Sequence, residues 1–250
     1  VISIYNHKLI LQVSTLNFIY HTFHIKDDLY VLQEVDPNAS LSPDLVVPRN
    51  QMPPKEPVSF SKETRDGSLS DDGSIIDYMV LYTDATATRT PDILEQTLAA
   101  IDMTNESLKQ SGVIFRLRLV GATKIDYNDS GKSISTIHSY IATSGVIEEL
   151  RFRTGADLVG MISSAGVGLL FCGLATGNFP GTLSRDSVEQ VTMYSCIGGH
   201  TFGHEVGHTI GSNHLVSDAS ALYDYSYGIN NGTNASILSN TGVRVGYYSN

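Results

Sequence analysis

Three histidines in the run HEVGHTIGSNH, residues 204–214, have the spacing of ligands to a single metal ion. His204 and His208 are four residues apart, so on a helix both imidazoles project from the same face. Two neutral imidazoles in this arrangement can bind zinc at about 2.0–2.1 Å each. Gly211 allows the left-handed backbone that ends a helix, and the turn there can bring His214 to the same ion. The pattern predicts one catalytic zinc ion held by these three histidines.

Glu205 directly follows the first of these histidines and could reach a water at the metal without being a ligand itself. Three protein ligands leave a fourth position open, which distinguishes a catalytic zinc site from a closed structural one. A purely structural zinc domain would need a fourth protein ligand, and we identify none. The predicted chemistry is hydrolysis, in which Glu205 is the general base that takes a proton from the attacking water and delivers it to the leaving amine.

The overall composition limits the partners of the chain. It has 250 residues, a formal net charge of −10 and a pI of about 5.1. Nucleic acids and anionic membrane surfaces bind basic proteins, so we expect neither as a partner. No segment of this fragment approaches the roughly 20 apolar residues of a transmembrane helix. We expect a protein or peptide substrate, whereas calcium binding and the oligomeric state are left undecided by the sequence.

The cysteines are the sequence feature that indicates the cellular compartment of the protein. Only Cys172 and Cys196 are present. A disulfide is the expected use, closing a loop of about 25 residues and stabilising the fold by about 3 kcal/mol. Two buried free thiols are the alternative, because sequence alone cannot prove pairing. A disulfide would fit an oxidising compartment, so we expect a secreted or extracellular protein. The sequence starts at Val1 without a signal peptide and is interpreted as a fragment, so that absence does not indicate the cytoplasm.

The chain divides by composition into three stretches, and the motif lies in the third. Residues 1–36 alternate apolar and polar side chains in short runs and predict a small β-rich unit. Residues 37–74 contain six of the eight prolines and predict a linker with little packed structure. Strands and helices then alternate through residues 75–250, which is typical of an α/β domain. Its predicted elements include a helix starting at Thr90-Pro91, a short strand over residues 166–171, Gly-rich turns after that strand, and a zinc helix over residues 198–210.

The motif at residues 204–214 resembles the metzincin zinc metalloproteases, whose signature is H-E-x-x-H-x-x-G-x-x-H followed by a Met-turn. Further stretches are similar to the reprolysin (adamalysin-like) branch, and most of all to its bacterial secreted members: IDYMVLYTDA, TNESLKQSGVIFRLRLVG, GADLVGMIS and CGLA. The resemblance covers roughly residues 75–250. It implies a zincin catalytic domain with a twisted mixed sheet and an active-site helix, and it implies a zinc-dependent endopeptidase.

The resemblance also implies where a substrate would lie. In this family the substrate is extended and pairs with an edge strand above the zinc helix. Such pairing is β-augmentation, in which main-chain hydrogen bonds give affinity and side-chain pockets give specificity. By its position, the edge strand is expected within residues 166–171, with Gly168, Leu169, Leu170 and Phe171 as tentative contacts.

Two positions depart from the family pattern. No methionine follows His214, and Leu238 occupies the position expected for the Met-turn methionine. A leucine could fill the same space beneath the histidines. Asn240 stands where some relatives have a tyrosine. These departures motivate an alternative, a zinc-binding pseudoprotease that acts as a binding or adhesion module, although the intact Glu205 argues against it.

The N-terminal unit resembles the end of a pro-segment at DLYVLQEVDP, residues 28–37, so a zymogen is expected. Residues 1–171 contain no cysteine, which excludes a cysteine switch as the source of latency. A carboxylate such as Asp36 or a histidine such as His24 could block the metal instead. It is equally open that residues 1–36 only assist folding.

Overall fold

The computed structural model describes residues 2–14, 18–35, 45–48, 51–52, 73–164, 171–177, 188–216, 223–242 and 244–248. Within those ranges the chain forms a four-stranded sheet, a six-stranded sheet and five α-helices. The N-terminal segment is β-rich as predicted, and the rest combines helices with a mixed sheet. The predicted α/β class with a mixed sheet and an active-site helix is confirmed.

The first sheet is an antiparallel meander in chain order, with β1 (Ile2–Tyr5), β2 (Lys8–Ser14), β3 (Ile19–Lys26) and β4 (Leu29–Val35). Asn6 and His7 both have positive φ, at 47° and 63°. A two-residue loop with positive φ at both positions matches the right-handed twist of the strands that it joins.

The second sheet has the strand order β5-β9-β10-β8-β6-β7. β6, β7, β8 and β10 are parallel, β9 is antiparallel to β10, and β5 is parallel to β9. Their bounds are β5 (Leu45–Pro48), β6 (Ile75–Tyr82), β7 (Arg116–Lys124), β8 (Leu158–Ser163), β9 (Gly173–Gly177) and β10 (Glu189–Met193). β8, β9 and β10 are buried along their whole length, as expected for strands covered on both faces.

Helices cover the two faces of this sheet. They are α1 (Asp84–Arg89), α2 (Ile93–Gln110), α3 (Ile134–Thr143), α4 (Gly145–Thr154) and α5 (Thr201–Thr209). Apolar residues of α2 and α5 pack with one face, including Ile101, Phe202 and Val206. Ile137 and Ile141 of α3 pack with the opposite face. No helix in the described part of the chain combines the length and apolar character needed to cross a bilayer.

The helix predicted to start at Thr90-Pro91 begins later, at Ile93, with Asp92 as its N-cap. The reason is α1, a short helix that the sequence analysis missed. Thr83 caps its first turn by accepting a hydrogen bond from the amide of Thr86. Thr90 ends α1 because its amide bonds to the Thr86 carbonyl. Thr90 is therefore the C-cap of α1 and does not cap the longer helix.

The first sheet lies against α2 through polar contacts. Lys8 forms an ion pair with Glu95 at 3.2 Å, and Ser3 donates to Asp102 at 3.1 Å. His21 is 1% exposed and bonds to the side chain of Gln96. A further set of contacts joins the two units at the start of α2 and before α5: the His24 amide to Asp92, the Gln96 side chain to the Thr22 carbonyl, and the Phe23 ring to the Tyr194 ring.

Candidate active site

Helix α5 presents the two helical histidines of the motif. It begins after His200, whose φ of 63° makes it the N-cap, and it ends at Thr209. The helix is thus shorter than the predicted range of residues 198–210. All nine of its residues are buried, between the sheet, α2 and the C-terminal segment. Gly211 has a φ of 98°, which turns the chain away from the helix axis as the sequence predicted.

The three histidines of the motif come together in space. His204 Nε2 lies 3.0 Å from His208 Nε2 and 3.3 Å from His214 Nε2. One ligand atom of each side chain lies within 4.8 Å of the others, so the group could hold a metal ion. His214 reaches this group because the Asn213 side chain holds its amide at 2.8 Å, while the Asn213 amide bonds to the Ser226 carbonyl.

Main-chain carbonyls orient both helical histidines. His204 Nδ1 donates to the Ile237 carbonyl, and His208 Nδ1 donates to the Ser212 carbonyl at 2.9 Å. A carbonyl only accepts hydrogen bonds, so each Nδ1 must carry the proton. Each Nε2 then offers a lone pair to the common centre, which is the usual way in which a second contact fixes a metal-binding histidine. Three neutral imidazole nitrogens fit zinc well.

Glu205 lies beside these histidines and is completely buried. It packs directly against the first residue of β9. A Cβ atom added at Gly173 would lie 1.8 Å from Glu205 Oε1, so only glycine leaves room for the carboxylate here. The sequence analysis did not identify Gly173 as a site residue, because nothing in the local sequence announces a contact with a residue 32 positions later.

Tyr78 on β6 is a further buried neighbour of this region. Its hydroxyl accepts a hydrogen bond from Gln190 at 2.7 Å. Burial raises the pKa of Tyr78 well above its usual value, and the negative charge of Glu205 raises it further. Tyr78 therefore remains a neutral phenol at physiological pH. The sequence alone gave no role to Tyr78.

Leu238, at the position expected for methionine, packs against α5 at the level of the histidines. It is 1% exposed, and a Cβ at Gly207 would lie 2.9 Å from Leu238 Cδ2. Gly207 stands between His204 and His208 in the helix, so Leu238 fills the space next to both. The residue before it, Ile237, supplies the carbonyl that orients His204.

Cys172 and Cys196 form the predicted disulfide, with their Cα atoms 5.6 Å apart. The alternative of two free thiols is thereby excluded. The bridge joins the residue before β9 to the short turn that precedes α5. It therefore ties Gly173 to the segment that delivers Glu205.

The predicted edge strand is only partly covered by the structure. Gly168, Leu169 and Leu170 lie outside the described residues. Phe171 is half-buried against the core and is not in a strand. The strand instead begins at Gly173, where the sequence analysis had predicted Gly-rich turns. The glycines and the alanine of this strand do not form a turn. They allow the strand to pack closely against Glu205 and α5.

Strand β9 is paired on both sides. β10 lies on one side, and β5, from the predicted linker, lies on the other in parallel register from Leu45 opposite Leu174 to Pro48 opposite Gly177. The sequence analysis did not predict β5. Of the two residues suggested as blocking groups, Asp36 lies outside the described residues. His24 bonds to the Asp27 carbonyl at 2.8 Å within its own hairpin.

Comparison with known proteins agrees with this geometry. Residues 94–215 match the model of the metallopeptidase family M12B, reprolysin-like. The predicted resemblance to the reprolysin-like branch is thus confirmed over these residues.

Two bacterial relatives share the name peptidyl-Asp metalloendopeptidase. The one from Pseudomonas aeruginosa is 32% identical over 168 residues, which is 61% of this chain and 28% of the relative. The one from Stenotrophomonas maltophilia is 28% identical over 134 residues, which is 52% of this chain and 31% of the relative. The chain therefore spans less than a third of the length of either protein.

A solved structure described as a chaperone–substrate complex shares the fold. It matches with a TM-score of 0.60 and 20% identity, and the match covers 72% of this chain and 30% of that chain. At this identity the likeness concerns the fold alone.

Proposed function

We propose that this reprolysin-like chain is a zinc-dependent endopeptidase, with His204, His208 and His214 as the zinc ligands and Glu205 as the general base. The observation that carries the proposal is the convergence of three Nε2 atoms beside a buried glutamate of the same helix. Zinc, when bound there, supplies Lewis acidity that activates water at neutral pH and polarises a substrate carbonyl.

The protein's own groups do the remaining work. The Glu205 carboxylate accepts a proton from the attacking water as the new C–O bond forms at the scissile carbonyl. It then passes that proton to the amide nitrogen as the C–N bond breaks, which yields a free carboxyl group and a free amine. The carbonyls of Ile237 and Ser212 hold the helical histidines in one tautomer throughout. No covalent acyl-enzyme is needed, so the reaction requires no nucleophilic serine or cysteine.

The pairing of β5 supports a latent form of the enzyme. An extended substrate that reached Glu205 would lie along β9, which begins next to this residue. In the structure β5 already takes up the hydrogen bonds on that side of β9. Because β-augmentation needs those same main-chain groups, residues 45–48 would compete with a substrate. We infer that the N-terminal region keeps the enzyme inactive until the linker is cut and the region leaves. We also propose that the protein is secreted, since a disulfide suits an oxidising compartment.

The names of the relatives suggest the kind of peptide that is cleaved. Both are called peptidyl-Asp metalloendopeptidase. We propose that the present chain likewise cleaves peptides next to an acidic residue.

A hydrolysis assay tests the proposed function. Casein is incubated with the zinc-loaded chain from which residues 1–74 have been removed, with the same form after chelation, and with the Glu205→Gln variant of that form. General acid–base catalysis contributes about 10²–10⁴-fold, so we expect this variant to lose activity on that scale while keeping one zinc per chain. Glu149→Gln, an exposed glutamate of α4, is the matched control and should behave as the parent. Zinc binding without cleavage of casein or of a broad peptide library would favour the pseudoprotease alternative.

A further inference from the structure

Strand β10 turns a polar face toward helix α5. Side chains alternate between the two faces of a strand, and Val191 and Met193 belong to the apolar core on the side of α3. Gln190 and Thr192 therefore point to the opposite side of the sheet, against which α5 packs. The core cluster on that side consists of apolar and aromatic side chains. Two polar residues at its centre therefore need a reason other than packing.

Only one of these two polar residues has a hydrogen bond that accounts for it. Gln190 donates to the Tyr78 hydroxyl at 2.7 Å. Thr192 is 0% exposed, and its hydroxyl oxygen makes no hydrogen bond to any other described residue. A buried hydroxyl without a partner costs free energy, whereas valine has the same shape and avoids that cost. The threonine at this position therefore indicates a use for its hydroxyl.

The register of β9 and β10 places Thr192 beside the Glu205 carboxylate. Thr192 lies directly opposite Gly173 in the antiparallel pair. The Cβ atoms of such facing residues are about 4.5–5.5 Å apart on the same side of the sheet. Glu205 Oε1 lies 1.8 Å from the position that a Cβ atom at Gly173 would take. Thr192 Cβ is therefore within about 7 Å of that oxygen, a distance that a hydroxyl and one water can span.

A hydroxyl here has a chemistry that suits a general base. An ionised carboxylate only accepts hydrogen bonds, and a threonine hydroxyl can donate one. A base that is held in one orientation transfers protons efficiently, because the reacting atoms are already placed. Glu205 is itself completely buried, so its orientation is set by the side chains packed around it.

We propose that Thr192 is a positioning residue whose hydroxyl donates a hydrogen bond to the Glu205 carboxylate, directly or across one water, and holds that carboxylate at the site. This inference rests on the proposed endopeptidase function. Thr192 lies beneath α5 and acts through Glu205, without contact to the substrate.

Two substitutions at Thr192 test the proposal. Thr192→Val removes the hydroxyl at constant shape, and Thr192→Ser keeps it. Each variant is made as the full chain, loaded with zinc and assayed on one quenched peptide before and after removal of residues 1–74. We expect Thr192→Val to lower kcat by roughly 10–100-fold, the usual effect of losing a group that orients a residue of the site. KM and zinc content should not change, and Thr192→Ser should stay close to the parent.

Thr97→Val is the matched control. Thr97 is also fully buried, but its hydroxyl donates to the Ile93 carbonyl within α2 at 2.7 Å. Its kcat should equal that of the parent. Thermal unfolding is followed for every variant, because a merely structural role of Thr192 would change stability and leave the kcat of the folded protein unchanged.

A double-mutant cycle shows whether Thr192 acts through Glu205. In the Glu205→Gln background there is no carboxylate to position, so Thr192→Val should lower kcat little further. A crystal structure of the zinc-loaded parent chain gives a result that does not depend on activity. We expect it to show Thr192 Oγ1 joined to a Glu205 carboxylate oxygen by a direct hydrogen bond or through one water.

Three results would overturn the inference. The first is a folded Thr192→Val variant with the kcat of the parent. The second is an equal loss of kcat when Thr192→Val is introduced into the parent and into Glu205→Gln. The third is a crystal structure in which neither a direct bond nor one water joins the two side chains. If the parent cleaves nothing in either form, the proposed function fails. The crystal structure then decides separately whether Thr192 holds Glu205, as it does if Thr192→Val fails to fold.

Discussion

Each helical histidine of the site gives one ring nitrogen to a main-chain carbonyl and turns the other toward a common centre. The two carbonyls belong to different parts of the chain, at Ser212 just after the helix and at Ile237 in the C-terminal segment. Orientation by such contacts commonly contributes tenfold or more to metal affinity, roughly 10–100-fold where it has been measured. The metal site therefore depends on the C-terminal segment, although that segment contributes no ligand.

Gly173 provides the sharpest residue-level prediction. A methyl group there would lie 1.8 Å from Glu205 Oε1, which is far below any real contact, so Gly173→Ala must displace the glutamate or the start of β9. We expect peptide hydrolysis to fall by about the 10²–10⁴-fold that a general base contributes, with zinc content unchanged. The measurement is kcat/KM on one quenched peptide, paired with metal analysis of the same sample.

Gly121→Ala serves as the control for this substitution. Gly121 also lies in a strand, β7, but the nearest atom to an added Cβ is a methyl carbon of Thr154 at 3.2 Å. It should keep most of the activity. If Gly173→Ala were as active as Gly121→Ala, the close packing of Glu205 against β9 would have no catalytic importance.

At the scale of elements, the contact between the first sheet and α2 contains a buried histidine. Burial lowers the pKa of His21, while its bond to Gln96 and the charge of Asp92 oppose that shift. The groups that face His21 come from several elements: Gln12 on β2, Phe23 on β3, Asp92 at the N-cap of α2, Gln96 on α2, and Gly198 before α5. His21 is accordingly neutral when the sheet is docked.

The pH dependence of docking follows from the sign of this shift. The undocked histidine titrates near its ordinary pKa of about 6.5 and binds a proton below that pH, whereas the docked one does so only at a lower pH. Docking should therefore be fully stable above about pH 6.5 and weaken as the pH falls through and below that value. We expect amide hydrogen exchange in residues 2–35 to accelerate at pH 5 relative to pH 7.5 after correction for the intrinsic rate.

His21→Gln is the variant that isolates this effect, because a glutamine keeps a polar group at the contact without titrating. In that variant the change between the two pH values should shrink. An equal acceleration in the parent and in His21→Gln would assign the pH effect to other groups, such as the Lys8–Glu95 ion pair.

The same elements show what sequence could and could not predict. The histidine motif and Gly211 were predictable because their geometry depends on local spacing along one helix and one turn. Strand β9 was not, since its Gly-Leu-Ala-Thr-Gly composition is typical of a turn and is explained only by the approach of Glu205. The sequence instead predicted a strand in the apolar run of residues 166–171 that precedes β9. Likewise, nothing in residues 45–48 indicates that they pair with a strand more than 120 residues later.

At the scale of the whole molecule, the N-terminal region contacts the catalytic domain at two separate places. The first sheet packs on α2, and β5 pairs with β9 at the site. The domain limits at residues 36 and 74 remain predictions, but both contacts arise from sequence before residue 49. Cutting the linker alone would therefore leave two non-covalent attachments, and under the proposed latency we expect full activation only when the N-terminal region also leaves.

Casein cleavage by the zinc-loaded chain, before and after removal of residues 1–74, is the measurement that tests the central claim most directly. We expect little cleavage by the intact chain and much more after removal of residues 1–74. A zinc chelator should abolish cleavage by both forms. Two results would contradict this expectation. Equal activity in the two forms would refute latency through β5, and a zinc-loaded, folded domain that cleaves nothing after removal would refute the endopeptidase itself.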